Sequence, residues 1–216
     1  MLLVVGLGNP GKEYASHRHN VGFMAVDELH RRASADPWRD KFSAAYAKVE
    51  LGDQTAVLLK PMTYMNESGR SVQLAMAFFK VQLSELVVLH DELDLPFRDV
   101  RLKFSGGHAG HNGLRSIMAH VGGGDFGRVR IGVGRPPPEF RGEVASFVLS
   151  SFDSAERAAL PDSLRLAAES VLEVASRGFD AAMKIRNTRV KPKKELAAPP
   201  GEGSDRANPE PLGDKS

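Results

Sequence analysis

The chain has 216 residues, of which 42% are hydrophobic and 26% are charged, and it contains no cysteine. This length suits one domain with a sizeable core and is too short for two domains of ordinary size. The lack of cysteine excludes disulfides, thiolate catalysis and cysteine-ligated zinc. A formal net charge of +2 argues against binding nucleic acid through overall charge, although a local group of lysines and arginines can still contact phosphates.

The sequence predicts neither a membrane span nor a secretion signal. No apolar run approaches the roughly 20 residues that cross a bilayer. The apolar N-terminus is not preceded by a basic segment, which favours a first strand over a signal peptide. We therefore expect a cytoplasmic protein that stays out of the membrane.

The N-terminal part of the chain combines strand and helix patterns. Residues 2–7 form a nearly continuous apolar run, which is typical of a strand buried on both faces. Residues 19–33 have the apolar spacing of an amphipathic helix. Residues 44–51 and 55–60 are strand-like and are separated by a short polar turn, so they predict a hairpin.

The next segment predicts a strand–helix–strand unit. Asn66 or Ser68 is expected to cap a helix that continues to about residue 80. Residues 86–89 follow as another buried strand. Because a helical crossover normally joins parallel strands, residues 57–89 predict one βαβ unit.

The second half of the chain begins with two further strand patterns, over residues 100–104 and 128–134. A glycine-rich segment, residues 105–113, and a short helix over residues 114–121 lie between them. A further short element is expected at residues 147–149.

The C-terminal part has a helical pattern over residues 153–186, which Pro161 is expected to interrupt. Residues 191–216 contain proline, glycine and acidic residues but no aromatics, which predicts a disordered tail. Residues 1–187 are therefore predicted to form a single three-layer α/β domain. Its central sheet is expected to be mixed, mostly parallel and flanked by helices, and we expect a monomer.

Polar side chains follow several of the predicted strands. Asn9, Asn66 and Asp91 come after apolar runs, and Asn112 lies in the glycine-rich segment. In an open α/β sheet, the loops beyond the carboxyl ends of parallel strands face one crevice, where ligands bind. Together with His19, these residues predict a site that activates water.

His19 is the candidate general base. An imidazole titrates near ~6.5, so it can accept a proton at neutral pH. A carboxylate such as Asp91, bonded to the other ring nitrogen, would fix the tautomer and stabilise the imidazolium. The chain has no cysteine and no Gly-x-Ser-x-Gly motif, so water is the expected nucleophile. The neutral amides of the three asparagines suit the binding of a peptide backbone or a developing oxyanion.

The glycines of residues 6–11 match the Gly-x-Gly-x-x-Gly pattern and raise the alternative of a nicotinamide-dependent oxidoreductase. Three features weaken it: residues 12–18 are polar, Pro10 lacks an amide donor, and no acidic residue ends a strand about 20 residues later. A metal site is a further alternative, built from His17, His19, His108, His111 and Asp91. Their spacing does not match a zinc-hydrolase motif, so we predict no metal.

Basic and aromatic residues flank these motifs. A solvated charged face is the simplest interpretation of the basic residues, and a phosphate-binding patch is the functional one. Tyr14 and Tyr64 could stack on a base or pack against an apolar group. The basic residues in question are Arg98, Arg101, Lys103, Arg115, Arg128, Arg130 and Arg135.

Taken together, these motifs closely resemble the bacterial peptidyl-tRNA hydrolase family. The matching stretches are residues 5–14 with 18–22, 60–69, 90–96, 106–114 and 128–134. The resemblance covers residues 1 to about 187 in order, and it leaves out the tail, which looks peculiar to this chain.

The resemblance implies hydrolysis of the ester between a peptide and the terminal ribose of tRNA, without a metal or an organic cofactor. It implies that His19 is catalytic, that Asp91 supports its basic form, and that Asn9 helps to distinguish N-blocked from free aminoacyl-tRNA. Other matching positions are implied to contact the substrate, namely Tyr14, Tyr64, Asn66 and Asn112, or to bind tRNA, namely Lys103 and Arg130. A non-catalytic RNA-binding module on the same scaffold is the alternative.

Overall fold

A computed structural model describes residues 1–188, and the predicted disordered tail lies outside the described residues. The strands of the described chain are β1 (Leu2–Gly6), β2 (Arg39–Lys41), β3 (Ala44–Leu51), β4 (Gln54–Pro61), β5 (Leu86–Glu92), β6 (Val100–Phe104) and β7 (Gly127–Gly132). Its helices are α1 (Val21–Arg32), α2 (Ser68–Phe79), α3 (Asn112–Val121), α4 (Val144–Val148), α5 (Ser154–Arg177) and α6 (Phe179–Thr188).

The seven strands form one mixed sheet in the order β2-β3-β4-β1-β5-β7-β6. The four central strands β4, β1, β5 and β7 are mutually parallel, whereas β2, β3 and β6 pair antiparallel with their neighbours. The carboxyl ends of the four central strands therefore meet at one edge of the sheet. The prediction of a mixed, mostly parallel sheet is confirmed.

Helices cover both faces of the sheet, which confirms the three-layer prediction. Leu2 and Val4 point into a core shared with α1, α5 and α6. Leu3 and Val5 point into a second core shared with α2 and α3. Strand β1 is thus apolar on both faces, and full burial of each such side chain contributes roughly 1.5–3 kcal/mol. This burial explains why the N-terminal strand occupies the middle of the sheet.

The strand pairings bear out the hairpin and the βαβ unit. Strands β3 and β4 pair antiparallel over their full length, from Ala44 opposite Pro61 to Leu51 opposite Gln54. Strands β4 and β5 are parallel, as expected, but β1 lies between them. None of the described helices is long and apolar enough to cross a membrane.

The prediction that Asn66 or Ser68 caps α2 is wrong. The residue at the cap position is Glu67, and it makes no capping hydrogen bond through its side chain. A 3₁₀ turn over Met65–Glu67 leads directly into the helix, and the Ser68 hydroxyl donates back to the Met65 carbonyl at 2.9 Å. Because the chain already turns helically before Ser68, no extended residue precedes the helix to act as a side-chain cap.

The predicted interruption at Pro161 is also wrong, because α5 continues through it from Ser154 to Arg177. Pro161 is exposed, so the carbonyl that loses its helical partner can be hydrated. The following turns bury Ala167, Val171 and other small apolar side chains against the sheet. The helix ends instead at Gly178, whose φ of 79° lies in the left-handed region that favours glycine.

Candidate active site

A cavity of about 930 Å³ opens at the edge of the sheet where the central strands end. Eight of the nine residues predicted from sequence to form the site line it, and Tyr14 does not. The eight are Asn9, His19, Tyr64, Asn66, Asp91, Lys103, Asn112 and Arg130. Residues that are distant in sequence therefore meet in one place, as the strand-end argument predicts.

His19 and Asp91 form a buried pair in this cavity. His19 lies in a 3₁₀ turn over Arg18–Asn20 just before α1, and Asp91 lies near the carboxyl end of β5. Nδ1 of His19 is 2.8 Å from Oδ1 of Asp91, and the two residues are only 8% and 5% exposed. Because a carboxylate can only accept, Nδ1 carries the proton and Nε2 is the basic nitrogen.

The pair shifts the pKa of both groups toward their charged forms. Burial alone would raise the pKa of Asp91, but the charges of His19 and His111 and their hydrogen bonds hold it far below its usual range. Burial alone would lower the pKa of His19, but the charge of Asp91 and its hydrogen bond outweigh it and raise the pKa. Asp91 therefore stays ionised, and His19 becomes a stronger base.

His111 is a third member of this network, although its sequence context suggested only a possible metal ligand. Its Nδ1 accepts the backbone N–H groups of Gly113 at 3.1 Å and Leu114 at 3.3 Å and so caps α3. Its Nε2 therefore carries the proton, which it donates to Oδ1 of Asp91 at 3.0 Å. One carboxylate oxygen thus accepts from both imidazoles, and His111 holds it in place for His19.

His90 lies beside the same network but stays neutral. Its Nδ1–H donates to the backbone carbonyl of Asp91 at 2.7 Å, and its ring packs edge-on against His111 with centroids 5.1 Å apart. Burial, together with the neighbouring His111, lowers the pKa of His90 to about 3. His90 therefore stabilises the end of β5 through its hydrogen bond and ring packing, and it carries no charge at neutral pH.

Only part of the metal-ligand set considered from sequence comes together. His19, Asp91 and His111 each offer one ligand atom, and these atoms lie within 4.8 Å of one another. His17 instead packs on the ring of Tyr14 at 5.5 Å, and His108 accepts the Gly110 amide. Both imidazole N–H groups donate to Oδ1 of Asp91, so Nδ1 of His19 and Nε2 of His111 are occupied by this carboxylate.

Asn9 is fixed by three hydrogen bonds. Its Oδ1 accepts the backbone N–H of Met65 at 2.8 Å, and the Asn20 side chain pairs with both the N–H and the carbonyl of Asn9 at 3.0 and 2.9 Å. The first bond sets the orientation of the amide, so Nδ2 is the end that can donate to a ligand. Asn20 is a supporting residue that the sequence analysis missed, since an asparagine before a helix has many ordinary explanations.

The other predicted contact residues are more exposed than Asn9. Oδ1 of Asn112 accepts from Arg115 at 2.6 Å, which again leaves the amide Nδ2 as the free donor. Asn66 is exposed in the 3₁₀ turn before α2, and Tyr64 is 62% exposed at the rim of the cavity. The three asparagines are therefore not equivalent, because only Asn9 is both buried and immobilised.

The basic side of the cavity lies on β6 and β7. Nε of Arg130 donates to Glu92 at 2.8 Å, and the guanidinium of Arg128 donates to the carbonyls of Gly106 and Gly107. Lys103, by contrast, forms no ion pair within residues 1–188. Of these three predicted cations, Lys103 is the one whose charge is most available to a phosphate.

Two of the three glycines in residues 6–11 serve packing, whereas Gly11, with a φ of 120°, serves the turn. A Cβ on Gly6 would lie 2.4 Å from the Gly22 carbonyl oxygen, and one on Gly8 would lie 2.6 Å from the ring of Phe23. Both glycines therefore allow α1 to pack closely on β1. This geometry accounts for the pattern that raised the nicotinamide-cofactor alternative, which has no further support.

The fold and the site define a class, that of α/β proteins with a buried histidine–aspartate pair in a cavity at the carboxyl ends of the central strands. The chain belongs to the peptidyl-tRNA hydrolase family, whose model matches residues 3–195. This membership confirms the resemblance inferred from the sequence motifs.

Similar proteins extend this comparison. The peptidyl-tRNA hydrolase of Sorangium cellulosum is 69% identical over 211 residues, which cover 98% of this chain and 93% of the relative. That of Geobacter metallireducens is 46% identical over 187 residues, covering 87% and 95%. A crystal structure of peptidyl-tRNA hydrolase from Acinetobacter baumannii is 37% identical, with a TM-score of 0.80, and the match covers 87% of this chain and 95% of that one.

These matches correct one expectation. The motifs alone predict a tail that is peculiar to this chain, but the match to the Sorangium protein covers nearly the whole chain. Most of residues 191–216 must therefore lie within that match, and the similarity does not stop where the described helices end.

Proposed function

We propose that the chain hydrolyses the ester bond between a peptide and the terminal ribose of tRNA, so that free tRNA is released. The observation that carries this proposal is the buried His19–Asp91 pair, with its 2.8 Å hydrogen bond, at the cavity of a member of this family. The nucleophile is water, because the described cavity lining contains no cysteine and no serine.

In the proposed mechanism, Nε2 of His19 takes a proton from water as the oxygen attacks the ester carbonyl. Asp91 remains a carboxylate and stabilises the imidazolium that forms. When the tetrahedral intermediate collapses, the bond from carbon to the ribose oxygen breaks, and His19 returns the proton to that leaving oxygen. The products are a free ribose hydroxyl and a peptide carboxylic acid, which then ionises.

The asparagines give the site its selectivity for N-blocked substrates. Nδ2 of Asn9 is oriented to donate to a carbonyl of the peptide backbone, since its Oδ1 is occupied by the Met65 amide. A free aminoacyl group lacks this amide and carries an ammonium, so it would leave the buried donor unpaired. An unpaired buried polar group costs about 1–3 kcal/mol, so Asn9 supplies most of this selectivity and the exposed Asn66 and Asn112 add less.

The tRNA acceptor end is proposed to lie on the basic side of the cavity. Lys103 and Arg130 would contact phosphates there, while Tyr64 would offer a flat apolar face to a base or to the end of the peptide. Tyr14, which does not line the cavity, would contact the substrate outside it. The chain is proposed to act as a cytoplasmic monomer and without a cofactor.

One assay tests the proposal against its alternatives. Purified, chelator-treated protein is incubated with N-acetyl-aminoacyl-tRNA and, separately, with unblocked aminoacyl-tRNA. We expect release of the N-acetyl-amino acid from the first substrate alone. Binding without cleavage would favour a non-catalytic RNA-binding module, although the complete His19, Asp91 and Asn9 arrangement argues against it. Cleavage that disappears with the chelator and returns with a divalent cation would contradict the metal-free mechanism.

A further inference from the structure

We infer that Arg18 is a positioning residue for the reaction. Its guanidinium holds the turn that carries His19 against α4, the helix that forms the apolar wall of the cavity. This inference rests on the proposed function for its meaning, although its physical consequences can be measured separately.

The contacts of Arg18 join two segments that are distant in sequence. Its Nη1 donates to Oγ of Ser150 at 2.8 Å and to the carbonyl of Ser151 at 2.5 Å. Its Nη2 donates to Oε2 of Glu156 at 2.5 Å, and the guanidinium carbon lies 4.4 Å from the centre of the Phe147 ring. With a longer bond from Nη1 to the Ser150 carbonyl at 3.4 Å, one side chain therefore makes an ion pair, three further hydrogen bonds and a stacking contact at the same junction.

The backbone reinforces the same connection. The N–H of Arg18 donates to the carbonyl of Ser150 at 3.0 Å, and His17 forms an antiparallel bridge with Ser151. The residues just before His19 are thus paired with the residues just after α4. A shift of either segment would be transmitted to the other.

Both ends of this junction face the cavity. His19 is the next residue in the chain and supplies the proposed base. On the other side, Val144, Ala145 and Val148 of α4 and the following Leu149 line the cavity. Arg18 itself does not line it, so its effect on the reaction would be indirect. Arg18 thus sets the distance between His19 and the apolar wall formed by α4. The ester must fit into this space.

Glu156 extends the connection to α5. Its Oε2 also accepts the N–H of Asp153 at 2.8 Å, and the Asp153 side chain accepts the N–H of Glu156 in return, which forms a capping box. Arg18 therefore ties the turn of His19 to the start of a 24-residue helix that is packed on the sheet. That helix gives the junction a rigid support.

Lysine could not replace arginine at this position without loss. The guanidinium is planar and presents donors in a fixed fork, so it can reach the two serines and Glu156 at once while its face stacks on Phe147. An ammonium keeps the positive charge but cannot make this set of contacts. The substitution Arg18→Lys therefore tests geometry while leaving the net charge unchanged.

The structure offers a matched control in Arg186. It is also almost buried, with a side chain 5% exposed against 7% for Arg18, and it pairs with Glu173 at 2.9 Å. It lies on α6 and does not line the cavity. Arg186→Lys should therefore lower stability in a similar way without moving His19 or α4.

The experiment compares the full-length parent, Arg18→Lys and Arg186→Lys. Measurements are the thermal midpoint, kcat and KM on N-acetyl-aminoacyl-tRNA, and the pKa of His19 from NMR of its ring. We expect Arg18→Lys to lower kcat by about tenfold. Displacing a catalytic group by about 1 Å can lower the rate on the order of a hundredfold, and the displacement of His19 here should be smaller. We also expect the His19 pKa to fall in that variant, since the bond to Asp91 would form less completely.

Parental kcat and parental His19 pKa in a folded Arg18→Lys protein would overturn the inference, as would an equal loss of kcat in Arg186→Lys. If Arg18→Lys fails to fold, Glu156→Gln is the alternative variant, because it retains Arg18 and its contacts with the two serines. It should lower kcat about threefold, since the bond from Arg18 to residue 156 would no longer be charge-assisted on both sides. No change there would overturn the inference equally. If the parent cleaves nothing, the proposed function fails, but the His19 pKa comparison still decides the positioning role.

Discussion

On one side of the cavity, His19, Asp91 and His111 share hydrogen bonds below the surface, whereas on the other side Lys103 and Arg130 lie on strands near the rim. Nδ1 of His19, Oδ1 of Asp91 and both ring nitrogens of His111 have defined partners. On the basic side, Arg130 is bonded to Glu92, while Lys103 is exposed and has no ion pair among residues 1–188. The cavity therefore combines one rigid side with one adaptable side.

The buried side of the cavity is suited to the chemical step, and the exposed basic side is suited to binding. Water exclusion strengthens the electrostatic effect of Asp91 on His19, so a small geometric change there should be costly. Cations at the rim act through solvent and are screened by salt, so each of them should contribute little. Substitutions on the two sides should consequently affect different kinetic constants.

The largest effect is expected from removal of the base. His19→Ala should lower kcat by roughly 10³-fold, the range of general base catalysis, because His19 is the one described imidazole in the cavity that is bonded to the Asp91 carboxylate and keeps its second nitrogen free. The assay is release of the N-acetyl-amino acid from blocked aminoacyl-tRNA, with circular dichroism to verify folding. His30→Ala is the matched control, since His30 stacks on Trp38 outside the cavity lining and should retain parental activity. A folded His19→Ala enzyme with parental kcat would remove the base assignment.

Asp91→Asn should have the next largest effect, about 10²-fold on kcat. An amide can no longer stabilise the imidazolium, and its NH₂ group can favour the wrong tautomer of His19. The variant should bind tRNA as the parent does, because Asp91 faces the two histidines. We would measure kcat in single turnovers and binding by filter retention. A loss confined to binding would contradict the support role of Asp91.

The pH dependence should report the same pair. The pKa of His19 is raised above its ordinary value, and only the neutral form can accept a proton. The rate constant kcat/KM should therefore rise with pH and reach half its maximum above pH ~6.5, the ordinary value for histidine. In Asp91→Asn the midpoint should move to lower pH, because burial then acts on His19 alone. A parental midpoint clearly below the ordinary histidine value would contradict this account.

Stability should change with pH in the opposite sense. A raised folded-state pKa means that the His19–Asp91 pair stabilises the protein fully below the unfolded-state pKa of histidine, and that this contribution is lost as pH rises through the folded-state pKa. Urea unfolding from pH 5.5 to 8.5 should show a decline in the parent that is weaker in His19→Ala. As pH rises through the folded-state pKa of His19, kcat/KM should therefore increase while the contribution of the pair to the free energy of unfolding decreases.

The rigid side was partly predictable from sequence. Asn9 and Asp91 follow apolar runs that predict parallel strands. Because parallel strands share a direction, both residues are expected at the same edge of the sheet. Local sequence patterns do not place His19 beside Asp91, since their hydrogen bond joins residues 72 positions apart and depends on how α1 packs on β5. That packing needs Gly22, where a Cβ would lie 2.4 Å from the Leu89 carbonyl oxygen.

Other features could not be deduced because they depend on tertiary contacts. His111 caps α3 in place of a more usual capping residue, and only its neighbour Asp91 reveals why an imidazole is useful there. Pro161 is tolerated because its face of α5 is exposed. The pairing of Arg130 with Glu92 needs the register of β5 and β7, which no local pattern specifies.

The adaptable side should show smaller effects, mainly on KM. Lys103→Ala should raise KM several-fold and reduce the slope of log KM against log salt by about 0.7–0.9, which corresponds to one lost phosphate contact. Kinetics at 50 and 200 mM salt measure both quantities. An unchanged KM at both salt concentrations would remove Lys103 from the tRNA-binding surface.

The smallest effects are expected at Arg130, because Glu92 already neutralises part of its charge at 2.8 Å. Arg130→Ala should raise KM less than Lys103→Ala does, since the substitution also leaves Glu92 without its partner beside the incoming phosphates. Glu92→Gln separates these contributions: it keeps the side-chain size, removes the competing carboxylate and should lower KM while leaving kcat unchanged. The double variant should have the KM of Arg130→Ala minus the increase that repulsion between Glu92 and the phosphates causes. If Glu92→Gln instead raised KM, the ion pair would be needed to orient Arg130, and the basic side would be more rigid than its exposure indicates.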